Sequence, residues 1–171
     1  MSERLPEPWM RGPELAVHPA ARPLVYSLRQ VHEDLAEWTE GLTPEQLWAR
    51  PFGLGPVGFH IRHIGRSADR LTTYLQNAQL TEEQLAGLRT EMAPGASREE
   101  LFSELEWMLR RCLAVVEALD PRTWHEERGV GRKPLPTTVG GLVHHIAEHS
   151  QRHVGAAIVT VKVARALGQA S

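Results

Sequence analysis

Apolar residues recur at helical spacing along four long stretches of the chain. The stretches cover about residues 22–41, 57–77, 97–119 and 138–167, and their apolar positions fall three or four residues apart. No stretch alternates convincingly between apolar and polar residues, as a half-buried strand would. The pattern therefore predicts an all-α protein, an antiparallel four-helix bundle with one long irregular connection, residues 123–138, before the last helix.

Boundary signals divide the chain further. Prolines interrupt the first 20 residues repeatedly, which predicts an extended N-terminal arm over residues 1–20 and the helical bundle over residues 21–171. Ser97 and Glu100 have the spacing of a capping box at the start of the third long helix. Residues 78–96 are compatible with either a short helix or a loop.

Composition narrows the classes of function. The chain has 171 residues, 42% of them hydrophobic, which is enough for one core and predicts one bundle domain. A net charge of −2 without a dense basic run gives no reason to expect a nucleic-acid or membrane partner. The single cysteine excludes an internal disulfide and a thiolate zinc site. No signal peptide or membrane span is visible, so we expect a cytoplasmic protein.

Six of the nine histidines lie in two short stretches, GFHIRH and VHHIAEHSQRH. Counting about 100° per residue from Leu142, His149 and His153 fall at about −20° and +20°, inside the apolar stripe of the last helix. His145 falls at the edge of the stripe, at about −60°, and His144 points away, at about 200°. His149 and His153 therefore occupy positions where a bundle helix would ordinarily have leucine.

Two buried imidazoles without partners would cost several kcal/mol, so something must satisfy them. Hydrogen bonds to backbone or carboxylates are one explanation. A metal is the favoured one, because neutral imidazole is the commonest protein ligand for a transition metal and bundle cores host such sites. On the second long helix, counted from Ile64, periodicity favours His60, at about −40°, over His63, at about −100°.

Two segments, HIGRSADRLTTYL (63–75) and LPTTVGGLVHHIAEHSQRHVGAAIVT (135–160), resemble the DinB/YfiT-like superfamily of metal-binding four-helix bundles. That family has a histidine opening an H-[IL]-x-x-S/A pattern in its second helix and an H-x-x-x-H pair in its last. The resemblance implies His63, His149 and His153 as the metal ligands, with His60 as the alternative to His63. The chain departs from the family at Ala156, where glutamine is usual.

Three nitrogen ligands leave a divalent ion an open position, as in catalytic rather than structural sites. Three imidazoles suit zinc, nickel or iron. The resemblance implies a metal-dependent enzyme of the thiol-dependent S-transferase type, with a low-molecular-weight thiol and a small-molecule substrate as partners. The alternatives are a metal-dependent hydrolase and a non-catalytic, stress-associated metal-binding protein; a homodimer is compatible with the family. For His145 two positions stay open, one beside the metal ligands and one at the solvent-exposed rim. For Arg70 and Tyr74, helix packing is favoured over substrate contact.

Overall fold

Four long helices make up most of the computed structural model, which describes residues 5–169 except for the side chain of Gln169. In chain order the helices are α1 (Arg22–Trp38), α2 (Pro44–Trp48), α3 (Val57–Leu75), α4 (Glu82–Thr90), α5 (Arg98–Glu117) and α6 (Val139–Gln169). The all-α prediction is confirmed. No helix in the described part of the chain has both the length and the apolar character that crossing a bilayer requires.

Helix α3 lies at the centre of the packing. It contacts both α5 and α6 along its length, and α1 packs on α6. The side chains that fill the space between these helices are the apolar ones of the predicted stripes, and Ile61, Ile64, Leu105 and Ile146 are all at most 1% exposed. The stripe of α6 is therefore buried, and the histidines in it lie against α3.

Capping boxes fix where three helices begin. Thr43, Thr81 and Ser97 each accept a hydrogen bond from the backbone N–H three residues later, and the side chain there returns one to the capping residue. For α5 the returning residue is Glu100, so the predicted capping box is confirmed. The capping at Thr81 begins α4, which settles residues 78–96 as a short helix with flanking turns.

The connection before α6 is more regular than predicted. It contains two antiparallel strands, β1 (Glu127–Val130) and β2 (Leu135–Thr138). The turn that joins them begins at Gly131, whose φ is +87°. Four residues are too few to show alternation, and a proline within β2 argued against a strand, so the sequence pattern did not predict them. The backbone N–H of Val139 donates to the carbonyl of Glu126 at 3.0 Å, so the hairpin anchors the start of α6.

The described N-terminal residues run along α1. Pro8 and Val17 are buried, and Arg11 makes two 2.6 Å hydrogen bonds to the carboxylate of Glu33 on α1. Tyr26 accepts from the backbone N–H of Glu14 at 3.2 Å. The arm is thus attached to α1 at several points, and its separation from the bundle as a distinct segment stays a prediction.

Two helical glycines provide a test of the packing of α2 on α3. A Cβ at Gly58 would lie 2.8 Å from Cζ2 of Trp48, and this indole is held by donation from Nε1 to the carbonyl of Ala96 at 2.9 Å. Gly58→Ala should therefore lower the free energy of unfolding by about 1–3 kcal/mol. Gly155→Ala, in an open position on α6, should raise it by up to about 1 kcal/mol. Urea denaturation measures both, and an equal effect of the two substitutions would contradict this packing.

Candidate metal centre

Four histidine rings meet where α3 packs on α6. His60 and His63 come from α3, and His149 and His153 come from successive turns of α6. The ring centroids of His63 and His153 are 4.3 Å apart, those of His149 and His153 are 4.7 Å apart, and those of His63 and His149 are 5.1 Å apart. His60 completes the cluster with its centroid 5.2 Å from that of His153.

Three of the four rings form a group that one metal ion fits. His63, His149 and His153 each offer a ring nitrogen, and these nitrogens lie within 4.8 Å of one another. The Nε2 atoms of His63 and His149 are 3.0 Å apart. Two nitrogens bound to one ion at about 2.0–2.1 Å are separated by about 2.9–3.4 Å for angles of about 90–109°, so this pair needs little adjustment. Among the described residues no cysteine or carboxylate joins the group.

These three residues are the ligands that the family resemblance implies, and the structure brings them together. That they hold a metal stays a prediction. His149 and His153 lie on the buried stripe, as their positions on α6 predicted, although each is partly accessible. His63 lies on the flank of α3, with its side chain 17% exposed, and reaches the cluster from there.

His60 lies behind His153. It is buried, as periodicity predicted, with 6% exposure, and its Nδ1 is 2.9 Å from Nδ1 of His153. On its other side a Cβ at Gly55 would lie only 3.0 Å from its Nε2. When Nδ1 of His153 donates to His60, the lone pair of His153 remains on Nε2. In this arrangement His60 orients a ligand, and His60 as a ligand itself is the alternative that a substitution tests.

Burial keeps these rings neutral. The pKa values of His60, His149 and His153 are each lowered to about 4, first because burial disfavours the charged imidazolium and then because neighbouring histidines repel its charge. A metal ligand must be deprotonated at the coordinating nitrogen. The rings of His60, His149 and His153 therefore present lone pairs at neutral pH without first having to lose a proton from an imidazolium.

A carboxylate contacts the outer nitrogen of His63. Oε2 of Glu91 is 2.7 Å from Nδ1 of His63, and Oε1 of Glu91 accepts from Arg70 at 2.6 Å. Burial raises the pKa of Glu91, but the hydrogen bonds from His63 and Arg70 outweigh it and the net pKa is lowered. Sequence reasoning missed Glu91, which follows α4 without any motif. Arg70, for which the sequence favours helix packing over substrate contact, is 8% exposed and donates to Glu91.

The remaining histidines of α6 lie towards solvent. His144 is exposed, as its position at about 200° on the helix predicted. His145 is partly exposed, 5.2 Å from the ring of His149, and its Nδ1 is 2.7 Å from Oε1 of Glu148. Glu148 also accepts from Arg152, four residues further along the helix, at 2.7 Å. His145 therefore lies at the rim of the cluster, outside the group of three.

An aromatic ring forms one wall of the cluster. Phe59, partly exposed on α3, stacks on His63 with centroids 5.2 Å apart and meets His153 edge-on at 6.1 Å. A group that enters beside these imidazoles meets an apolar surface as well as their nitrogens. The group of three histidines can therefore hold a cation, with the phenyl ring of Phe59 beside it.

Comparison with known proteins identifies one relationship. A family model described as the DinB superfamily matches residues 27–157, which is more than half of the chain and includes all four clustered histidines. No curated protein matches the sequence.

The buried rings make stability depend on pH. In the folded protein the pKa of His60, His149 and His153 is about 4, and the ordinary value is 6.5. Between these values the unfolded chain binds more protons, so the free energy of unfolding falls as pH falls. We expect metal-free protein to have a lower urea midpoint at about pH 5 than at about pH 7, with the loss complete only below about pH 4.

Two substitutions on α6 separate this effect from other titrations. His149→Asn should reduce the difference between the two urea midpoints, whereas His144→Asn, at an exposed position of the same helix, should leave it unchanged. Equal midpoints at both pH values in the unsubstituted protein would contradict the burial of neutral rings.

Proposed function

This chain belongs to the DinB superfamily, and we propose that it is a divalent-metal-dependent enzyme of the thiol-dependent S-transferase type. His63, His149 and His153 are its metal ligands in this proposal. The observation that carries it is the approach of three ring nitrogens, from two helices, to within 4.8 Å of one another. Two of these rings have pKa values near 4, which supports coordination at neutral pH.

The donor set supports a transition metal with room for another ligand. Three neutral imidazoles suit zinc, nickel or iron. Sites with three protein ligands and an open position are typical of catalytic metals, whereas structural zinc usually has four protein ligands. When bound, such an ion would lower the pKa of a coordinated thiol and favour its thiolate. The partial exposure of His149 and His153 leaves a side from which a ligand can approach.

The thiol has to come from outside the chain. Cys112 is the only cysteine, it has no exposed surface, and burial raises its pKa to about 11. A buried thiol with a raised pKa is a poor nucleophile. A low-molecular-weight thiol that enters beside Phe59 would supply the sulfur, and the phenyl ring would contact the apolar part of the thiol or of the electrophile.

The same ligands would serve the two alternatives. If water rather than a thiol attacks, the site supports hydrolysis. If nothing reacts, an ion held by His63 on one side and by His149 and His153 on the other ties α3 to α6 and stabilises the fold. The alternatives differ in what chelation removes, so one set of measurements distinguishes them.

Alanine substitutions test the ligand set. Loss of a ligand's outer hydrogen-bond partner lowers metal affinity by about 10–100-fold. Substitution of His63, His149 or His153 should lower zinc affinity by more than this. His60→Ala should fall within that range, and His144→Ala should bind as the unsubstituted protein does. Elemental analysis and competition with a chromophoric chelator measure this. Retained zinc in His63→Ala together with loss in His60→Ala would make His60 the ligand.

Cobalt-loaded protein tests the thiol. A low-molecular-weight thiol should add a near-ultraviolet thiolate-to-cobalt band, and Cys112→Ala should retain the band because the sulfur is external. Consumption of thiol with an added electrophile should stop on chelation. Ester or amide hydrolysis that chelation abolishes, without any thiol band, would favour the hydrolase. A loss of melting temperature as the only effect of chelation would favour the non-catalytic protein.

A further inference from the structure

We propose that Glu91 is a positioning residue that holds His63 with its Nε2 lone pair towards the metal and thereby strengthens metal binding. Arg62 and Arg70 hold Glu91 in place. This inference rests on the proposed metal site, and it assigns a role to the turn after α4.

The hydrogen bonds of Glu91 determine which nitrogen of His63 is free. Glu91 has 6% exposure, and its Oε2 is 2.7 Å from Nδ1 of His63. An ionised carboxylate only accepts hydrogen bonds, so Nδ1 of His63 carries the proton and the lone pair is on Nε2. That Nε2 is the atom 3.0 Å from Nε2 of His149. The contact therefore selects the tautomer that the metal requires.

Two arginines of α3 prevent Glu91 from turning away. Arg70 donates to Oε1 at 2.6 Å, so both carboxylate oxygens have partners. Nη1 of Arg62 donates to the backbone carbonyls of Thr90, Glu91 and Ala93, at 3.2, 3.2 and 2.7 Å. Arg62 thus holds the end of α4, and its guanidinium stacks on the ring of Trp48 at 5.0 Å.

The free-energy cost of burying these charges indicates a function beyond capping the C-terminal end of α4. Arg62, Arg70 and Glu91 are each at most 8% exposed, and burying charges is often no more stabilising than burying apolar residues of the same size. Helix ends at a protein surface are satisfied by water or by glycine caps at no such cost. Here the carboxylate of Glu91 contacts Nδ1 of a predicted metal ligand, Arg70 donates to the same carboxylate, and Arg62 donates to the backbone of Glu91.

Two of the three ligands differ in the partner of their Nδ1 atom. Nδ1 of His63 faces a carboxylate, whereas Nδ1 of His153 faces the neutral ring of His60. A carboxylate partner raises the basicity of the coordinating nitrogen more than a neutral partner does, and losing one costs about 10–100-fold in metal affinity. His63 is thus expected to depend more on its outer partner than His153 does.

Glu91→Gln tests the inference, with Glu104→Gln as its matched control. Glu104 accepts from Nε of Arg66 at 2.6 Å and lies 3.8 Å from Nε of Arg62, but it contacts no histidine. Zinc affinity by chelator competition should fall about 10–100-fold in Glu91→Gln, and the visible bands of bound cobalt should shift. Glu104→Gln should change neither.

A second measurement needs no substitution. The nitrogen chemical shifts of His63 in metal-free protein report its tautomer and should show the proton on Nδ1. A proton on Nε2, or unchanged zinc affinity in Glu91→Gln, would overturn the role of Glu91 while leaving the metal site intact. Unsubstituted protein that binds no zinc or cobalt would overturn the proposed function and this inference with it.

Discussion

The structure depends on burying imidazoles in the interface between α3 and α6, at positions where leucine would otherwise pack. Each neutral ring has one N–H and one lone pair, and in a buried site both need partners. His60 and His153 are each other's partners, and so are His63 and His149. In the contact between the Nε2 atoms of His63 and His149, one nitrogen carries a proton and the other accepts it. A metal ion at the same place would instead bind a lone pair from each of His63, His149 and His153.

That requirement reaches beyond the four rings. Because His60 fills the space beside Gly55, a side chain there would crowd the ring. Glu91, at the end of α4, places a buried carboxylate against Nδ1 of His63. The backbone N–H of Val139 donates to the carbonyl of Glu126, directly before β1, so the hairpin anchors the start of α6. Residues outside the cluster thus leave space for one ring and provide a hydrogen-bond partner for another.

Sequence reasoning correctly predicted the features that depend on a single helix. The position of His149 and His153 inside the stripe, and of His144 outside it, follows from the rotation per residue along α6. His63 lies on the flank of α3, so periodicity ranked it below His60, and only the family resemblance implied it. Glu91 is 28 residues from His63 and reaches it through the packing of α4 on α3, which no local pattern encodes. The strands of the hairpin are too short for alternation to reveal them.

X-ray absorption spectroscopy of the zinc-loaded protein tests the central claim, that three imidazoles bind one ion and leave a place for another ligand. The account predicts first-shell neighbours at about 2.0–2.1 Å, namely three imidazole nitrogens and one further light atom. The three imidazole rings should also give outer-shell scattering. Scattering from fewer than three rings, or a first shell completed by four protein ligands, would contradict it.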